Sequence, residues 1–218
     1  MTITKGSIGD RTYTATWKKP LTHADIIVAD IPAQTYTDNT ITPTVTVKDG
    51  ETDITDQCDF AFTGNTNAGS ATATITAKSD STGYVGSTTK TFTINPASVT
   101  LTANSLDTDV YDGTEKTVTG FTASVDGLTF ADTVTAGGSG TDAGEYDVIF
   151  SGVTVNETKD STGNYVVTGT TDGKLTISRK PVTVSAKDQT VTVGGSITEG
   201  TEQVTTSSMT FHAAAMFA

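Results

Sequence analysis

The sequence predicts an all-β protein made of tandem antiparallel β-sandwich domains, and three observations support this fold class. The 218-residue chain combines the β-branched residues threonine, valine and isoleucine with glycine, aspartate and serine, which favour turns. Its apolar residues alternate with polar ones over short segments and show no helical period. A pattern of strand, proline and strand occurs at residues 91–103 and again at 174–186, about 80 residues later, as expected of repeated domains.

Composition limits the classes of protein and partner. Hydrophobic residues make up 34% of the chain and aromatic residues 7%, which is low for a globular enzyme. The regular spacing of the apolar residues nevertheless favours a folded chain over a disordered one. The formal net charge is −12, and the acidic residues are spread through predicted turns. Nucleic acids and anionic lipid surfaces need clustered lysine and arginine. We therefore predict no nucleic-acid partner.

The first segment, residues 1–21, reads as the end of a preceding module. It has the pattern I-x-K-G-S-x-G-D-x-x-Y-x-A-x-W from Ile3 to Trp17, in which a glycine turn precedes one alternating strand at residues 12–17. This pattern resembles the end of the internalin-type β-grasp repeat of bacterial surface proteins. The alternative is a loose N-terminal strand with a buried Trp17.

Residues 22–97 are predicted to form the first sandwich. Alternating apolar residues indicate five strands, at residues 25–29, 42–48, 60–63, 71–77 and 88–94. Turn signals such as Asp49-Gly50 and Asn67-Ala68-Gly69 separate these strands. The turn at Asn67-Ala68-Gly69 should set the register of the strand that carries Ala71, Ala73 and Ile75. Short strands at nearly regular spacing favour a sandwich.

Residues 98–180 are predicted to repeat this domain with small loop insertions. Tyr36-Thr37-Asp38-Asn39 aligns with Tyr111-Asp112-Gly113-Thr114, and Asp80-Ser81-Thr82-Gly83 aligns with Asp160-Ser161-Thr162-Gly163. Asn67-Ala68-Gly69 aligns likewise with Asp142-Ala143-Gly144. Gly137-Gly138-Ser139-Gly140 lacks the lysine and the following helix of a phosphate-binding loop, so we interpret it as a flexible loop.

Several segments of this second region resemble the YDG and MBG-type repeats of large bacterial surface and adhesin-like proteins: Val110-Tyr111-Asp112-Gly113-Thr114, Asp142-Ala143-Gly144, Gly163-Asn164-Tyr165, Leu175-Thr176-Ile177 and Lys180-Pro181-Val182-Thr183-Val184. The resemblance covers most of residues 98–186, and the first region resembles the same group more loosely. It implies immunoglobulin-like modules in tandem, without catalytic residues. The first region departs from the pattern, with Thr37-Asp38-Asn39 where Asp-Gly-Thr is expected.

Residues 181–218 are predicted to be the truncated start of a third repeat, followed by a disordered tail from about residue 201, where the alternation ends. Neither a signal peptide nor a membrane-spanning stretch is recognisable in the sequence. We therefore expect no membrane insertion in this segment and interpret it as a window from a longer protein. The resemblance implies an extracellular location on a bacterial cell surface.

Calcium is the main site hypothesis, because this hard cation prefers several loop carboxylates. Asp107, Asp109 and Asp112 form one candidate group, and a second surrounds a loop of the first region at Asp49, Asp53, Asp56 and Asp59. The spacing does not fit an EF-hand, and solvated turn carboxylates are the competing interpretation. We accordingly predict no resident cofactor, with Ca²⁺ at residues 107–112 as the exception to test.

The sequence contains few residues from which a catalytic site could be built. The only histidines, His23 and His212, lie outside the strands of the two regions, and the single cysteine, Cys58, has no histidine near it in the pattern. Four tyrosines lie beside turns, where a ring can face a glycan: Tyr36, Tyr84, Tyr111 and Tyr165. We predict instead that these rings pack at the core edge with the hydroxyl bonded to backbone.

The sequence thus predicts a non-catalytic repeat region that acts as a stalk or spacer of a bacterial cell-surface protein. The expected role is mechanical, because rigid modules joined by short linkers that contain proline extend further than a flexible linker of similar length. The alternative is an adhesion module that binds host glycans or proteins through its loops.

Overall fold

The computed structural model describes residues 16–196 and the backbone of residues 204–206. Within these residues the protein is all-β, as predicted, and its one helical element is a 3₁₀ turn, Thr55–Gln57. The strands are β1 Lys19–Pro20, β2 Ile26–Val28, β3 Gln34–Thr35, β4 Val47–Asp49, β5 Thr52–Asp53, β6 Cys58–Thr63, β7 Gly69–Ala77, β8 Tyr84–Val85, β9 Ser87–Asn95, β10 Ala97–Ala103, β11 Leu106–Val110, β12 Lys116–Thr119, β13 Phe121–Ala123, β14 Thr135–Gly140, β15 Gly144–Ser151, β16 Tyr165–Thr171, β17 Gly173–Ser178, β18 Val184–Ala186 and β19 Val204–Thr206.

The chain divides into two compact units. Among the described residues, unit 1 contains 16–101, 123–134 and 152–170, and unit 2 contains 102–122, 135–151 and the residues from 171 onward. The domain boundary predicted near residue 97 lies inside unit 1. The compact units therefore differ from the predicted repeats, whose independent folding stays a prediction.

Unit 1 contains a three-stranded sheet in the order β2-β4-β5, a four-stranded sheet in the order β3-β9-β7-β6, and the parallel pair β1-β8. Alternation along β7 buries Ala71, Ala73 and Ile75, each at most 1% exposed, as the sequence predicts. Leu21 is also buried in this core, so residues just before the predicted start at 22 belong to unit 1. Burial of one face of each sheet supplies most of the stabilisation of such a fold.

The predicted strands of the first region agree with the structure except at residues 42–48. The regular ladder there begins only at Val47, although Val45 is already buried. Pro43 has no backbone N–H and cannot donate to a ladder, which explains why this stretch is irregular.

Unit 2 is built on a five-stranded sheet in the order β11-β17-β15-β14-β12. Its core contains Val148 and Leu175, both fully buried, with Val118 and Ile177 beside them. Apolar residues at every second position of β15 and β17 therefore face one layer.

The glycine-rich segment 137–140, interpreted from sequence as a flexible loop, is instead part of strand β14, which pairs with β12 and β15. A Cβ on Gly138 would lie 2.2 Å from the carbonyl oxygen of Asp147, and one on Gly140 would lie 2.2 Å from the ring of Tyr146. Glycine is required here because neighbouring groups approach the strand closely.

Each unit also contains a parallel pairing that the predicted antiparallel arrangement omitted. In unit 1, β3 runs parallel to β9, and in unit 2, β11 runs parallel to β17. The Tyr36 N–H donates to the Asn95 carbonyl and the Tyr111 N–H to the Ser178 carbonyl, both at 2.9 Å. The aligned residues Tyr36 and Tyr111 thus make the same backbone bond, each in its own unit.

The strand that follows each proline differs between the two occurrences of the pattern. Val99, Leu101 and Ala103 on β10 are buried in the sheet β13-β10-β16. The aligned Val184, on β18, is 62% exposed, because β18 pairs only with the short strand β19. The same alternation is buried only where further strands cover it.

The ends of the chain depart from the sequence-based expectations where they are described. Trp17 is 91% exposed and in no strand, so the alternative of a buried Trp17 is wrong. The other residues of the predicted strand 12–17, up to residue 15, lie outside the described residues. Residues 204–206 form β19 although disorder was expected from 201, while 197–203 and 207–218 of the predicted tail also lie outside the described residues.

Candidate functional site

An open cleft of about 300 Å³ lies in unit 1. One wall carries Tyr36 and Asp38, which follow strand β3. The loop 125–129 and the turn 160–165 complete the lining. The cleft therefore unites side chains that lie far apart in the sequence.

Two tyrosine rings meet in this cleft. Tyr36 and Tyr165 are in edge-to-face contact, with ring centroids 5.4 Å apart and an interplanar angle of 78°. Tyr36 is held by its backbone bond to Asn95, and Tyr165 by an N–H that donates to Asp160 Oδ1 at 2.8 Å. An edge-to-face pair of this kind contributes about 0.5–1.5 kcal/mol beyond the area it buries.

Asp38 carries an exposed carboxylate in an unusual backbone conformation. Its φ is +62°, in the left-handed region, and the aligned residue of the second region is Gly113 with φ +82°. A side chain in this region costs about 1 kcal/mol relative to glycine. The Tyr36 hydroxyl donates to Asp38 Oδ1 at 2.7 Å. This bond, with partial desolvation, raises the pKa of Tyr36 to about 12.

Asp160 is a buried residue that stabilises the turn 160–165 at the edge of the cleft. It is 5% exposed, and its carboxylate accepts from the backbone N–H groups of Thr162 and Tyr165 and from the Thr162 hydroxyl. Burial raises the pKa of Asp160, but the hydrogen bonds to its charged form outweigh burial, so its pKa lies below the usual range. The carboxylate therefore fixes the turn rather than facing a ligand.

Asn164 has a structural role that the sequence does not predict, although it belongs to the Gly163-Asn164-Tyr165 segment of the family resemblance. Its side-chain oxygen accepts from the Ala68 N–H at 2.8 Å, and its side-chain nitrogen donates to Asn67 Oδ1 at 3.1 Å. Its carbonyl also accepts from the Ala97 N–H at 2.8 Å. The only signal in the sequence is one extra residue between Gly163 and Tyr165, since Gly83 is followed directly by Tyr84.

The three carboxylates proposed for Ca²⁺ are not brought together as a metal site. Asp112 pairs with Lys116 at 2.8 Å and caps the N–H of Thr114 at 2.9 Å. These contacts, first that with Lys116, hold the pKa of Asp112 well below its usual range. Asp107 and Asp109 lie on strand β11. Among residues 16–196, no group of three or more His, Cys, Asp or Glu side chains is arranged to hold a metal ion.

The second acidic group is also distributed among separate partners. Asp49 accepts from Lys19 Nζ at 2.6 Å and from the Tyr84 hydroxyl at 3.2 Å. Asp53 instead caps the N–H of Thr55 at 2.9 Å. These bonds stabilise unit 1 locally. The Tyr84 hydroxyl bonds to Asp49 and the Tyr36 hydroxyl to Asp38, so both donate to carboxylates where the core-edge interpretation expected backbone.

Cys58 is buried in unit 1, at 3% exposure, and its thiol lies 3.6 Å from the Ile54 carbonyl oxygen. Burial, with help from the charge of Asp59, raises the pKa of this thiol. A raised pKa and burial make a cysteine unreactive.

No known family model matches the sequence, and no curated protein matches it significantly.

Within the part of the chain that the structure describes, no helix is both long enough and apolar enough to cross a membrane.

Proposed function

We propose that this chain is a non-catalytic, load-bearing region of a bacterial cell-surface protein, which acts as a stalk or spacer. The observation that carries the proposal is the parallel pairing of β3 with β9 in unit 1 and of β11 with β17 in unit 2. In each case an early strand of a predicted repeat, the one that follows β2 in the first and β10 in the second, lies beside the strand that ends that repeat.

Two parallel strands that are pulled from opposite ends resist tension in a particular way. Pulling Leu106 and Ser178 in opposite directions slides β11 along β17, so their hydrogen bonds are loaded together. Antiparallel neighbours joined at a hairpin would instead open one bond at a time. The geometry therefore favours a module that stays folded under load along the chain.

The surroundings of Asn164 support the same role. Two side-chain bonds and one backbone bond join it to residues 67, 68 and 97. Its side chain is largely buried, where hydrogen bonds gain strength from the lower local dielectric. This connection restricts bending between the segment that ends near residue 97 and the turn 160–165.

The bacterial surface location rests on the resemblance of residues 98–186 to YDG and MBG-type repeats. The net charge of −12 suits an exposed protein that must remain soluble at a crowded surface.

The test is single-molecule force spectroscopy on the full chain, pulled from its two ends. We expect discrete unfolding peaks, each releasing roughly 200–250 Å of chain, as the segments enclosed by the parallel strands extend. Tyr111→Pro removes the N–H that donates to Ser178, and we expect it to lower the force of one peak selectively.

Tyr111→Ala is the matched control, because it removes the ring but keeps the N–H. If Tyr111→Pro and Tyr111→Ala lower the peak equally, the ring rather than the strand pairing bears the load. Extension of the wild-type chain at low force without peaks would contradict the stalk proposal itself. Circular dichroism of each variant establishes that it is folded before it is pulled.

A further inference from the structure

We propose that the cleft beside Tyr36 and Tyr165 binds a neutral saccharide. This function is separate from load bearing and requires only the geometry within unit 1. The volume of the cleft, about 300 Å³, lies at the small end of known ligand sites, which span roughly 300–1,000 Å³. A cleft of this size suits one or two sugar rings.

The polar groups of the cleft fall into two classes. Asp160 and Asn164 are buried, and their side chains already accept hydrogen bonds from the backbone, Asp160 from Tyr165 and Asn164 from Ala68. Asp38 and Asp126 are exposed, and Oδ1 of Asp38 accepts only the Tyr36 hydroxyl. A carboxylate has about four acceptor positions, so these two groups keep capacity for a ligand.

The ligand must therefore bring hydrogen-bond donors. Charge excludes an anionic ligand, because the lining includes three carboxylates and no lysine or arginine. An anionic sugar would be repelled without a cation to receive it. Hydroxyl groups donate without carrying a charge, and sugars present several of them on one rigid ring.

The tyrosines supply the apolar half of such a site. Tyrosine joins an apolar ring face to a polar hydroxyl, a combination that suits a ligand with C–H groups on one side and hydroxyls around its edge. The contact between Tyr36 and Tyr165 fixes both rings before any ligand arrives. Preorganisation of this kind reduces the entropy lost on binding.

Asp38 gives the strongest reason to assign a binding role. Its left-handed backbone is the conformation that the second region gives to Gly113. An added Cβ at Gly113 meets nothing within 4 Å, so glycine is favoured there by the positive φ of the backbone and not by a neighbouring atom that approaches closely. Aspartate adopts this conformation more readily than most residues, so at a cost of about 1 kcal/mol the first region gains a carboxylate at the cleft where the second region has glycine.

The experiment titrates the full chain with methyl glycosides of glucose, galactose, mannose and N-acetylglucosamine, followed by NMR. Sialic acid and spermine serve as anionic and cationic probes. We expect at least one neutral glycoside to shift amide resonances around Tyr36, residues 126–129 and Tyr165. Asp38→Gly should weaken this binding about 10- to 100-fold, as expected for loss of a hydrogen bond to a charged group.

Asp38→Gly is chosen because it removes the carboxylate and relieves the backbone, so the variant should remain folded. Gly113→Asp is the matched control: it places the same side chain at the aligned position in unit 2 and should leave glycoside affinity unchanged. The proposal is overturned if no neutral glycoside binds, if only spermine or sialic acid binds, or if Asp38→Gly binds as well as wild type. None of these results bears on the force measurement of the stalk.

Discussion

The side-chain nitrogen of Asn164 donates to Oδ1 of Asn67 at 3.1 Å, across 97 residues of sequence. The same amide accepts the Ala68 N–H through its oxygen, so both ends of the side chain are used. A turn predicted only to set the register of β7 thereby also binds a residue of the second predicted repeat.

We expect Asn164→Ala to lower the free energy of unfolding by about 2 kcal/mol, because the part-buried Ala68 N–H loses its acceptor. Urea denaturation followed by circular dichroism measures the change. Asn39→Ala is the control, since Asn39 is exposed and its amide bonds only to the nearby Thr37 carbonyl. Equal effects of the two substitutions would contradict the structural role given to Asn164.

Asp160→Ala should destabilise the protein by roughly 2–3 kcal/mol, because the backbone donors of Thr162 and Tyr165 lose their acceptor. The aligned Asp80 is exposed, and in the first region the Ser81 hydroxyl accepts the Tyr84 N–H instead. Asp80→Ala should therefore change stability by less than about 0.5 kcal/mol. The pair is compared by thermal unfolding.

The same carboxylate predicts a pH dependence. The pKa of Asp160 is lower in the folded protein than in the unfolded chain, so its contribution to stability is present above the unfolded pKa of about 3.9. It is lost as the pH falls through the lower folded value. Below about pH 4, the stability difference between wild type and Asp160→Asn should thus shrink, and a constant difference there would argue against an ionised Asp160.

Adjacent glycines of β14 should respond very differently to substitution. Gly138→Ala places a Cβ against the backbone of Asp147, and we expect a loss of about 3 kcal/mol or more. At Gly137 the nearest atom to a new Cβ is 3.7 Å away, so Gly137→Ala should be nearly neutral. Chemical denaturation compares the two variants. Tolerance at both positions would restore the interpretation of this segment as a flexible loop.

One tyrosine should titrate late. The pKa of Tyr36 is raised from 10.0 to about 12 by its bond to Asp38, so the contribution of this hydroxyl to stability is complete below about pH 10 and is lost as the pH rises towards 12. Ultraviolet absorbance of phenolate measures the titration. Asp38→Gly should return this tyrosine towards the ordinary value, and an unchanged titration curve would mean that the hydrogen bond does not form in solution.

Alternation predicted the fold class and most of the long strands, because burial of one sheet face imposes a period of two. It succeeded along β7, where Ala71, Ala73 and Ile75 are buried, and failed at β18, where Val184 is exposed. The residues of these strands have the same pattern. The difference arises from the neighbouring strands, which lie elsewhere in the chain and are not encoded in the local pattern.

The candidate cleft was less predictable. The sequence places Tyr36 and Tyr165 beside turns, but their mutual contact depends on packing between segments more than 100 residues apart. Asp38 stands out in the sequence only as a departure from the expected glycine-containing pattern. Its role became visible through a backbone angle and one hydrogen bond, which the order of residues does not reveal.

Cys58, as the single thiol of the chain, makes unit 1 chemically addressable without any engineered label. A small alkylating reagent can modify it only when the surrounding core opens, since the folded protein leaves 3% of the residue exposed. At fixed pH, the ratio of its labelling rate to that of an unstructured thiol peptide gives the opening equilibrium of this core. Intact-mass spectrometry can then follow local unfolding of unit 1 in samples where unit 2, which has no cysteine, contributes no signal.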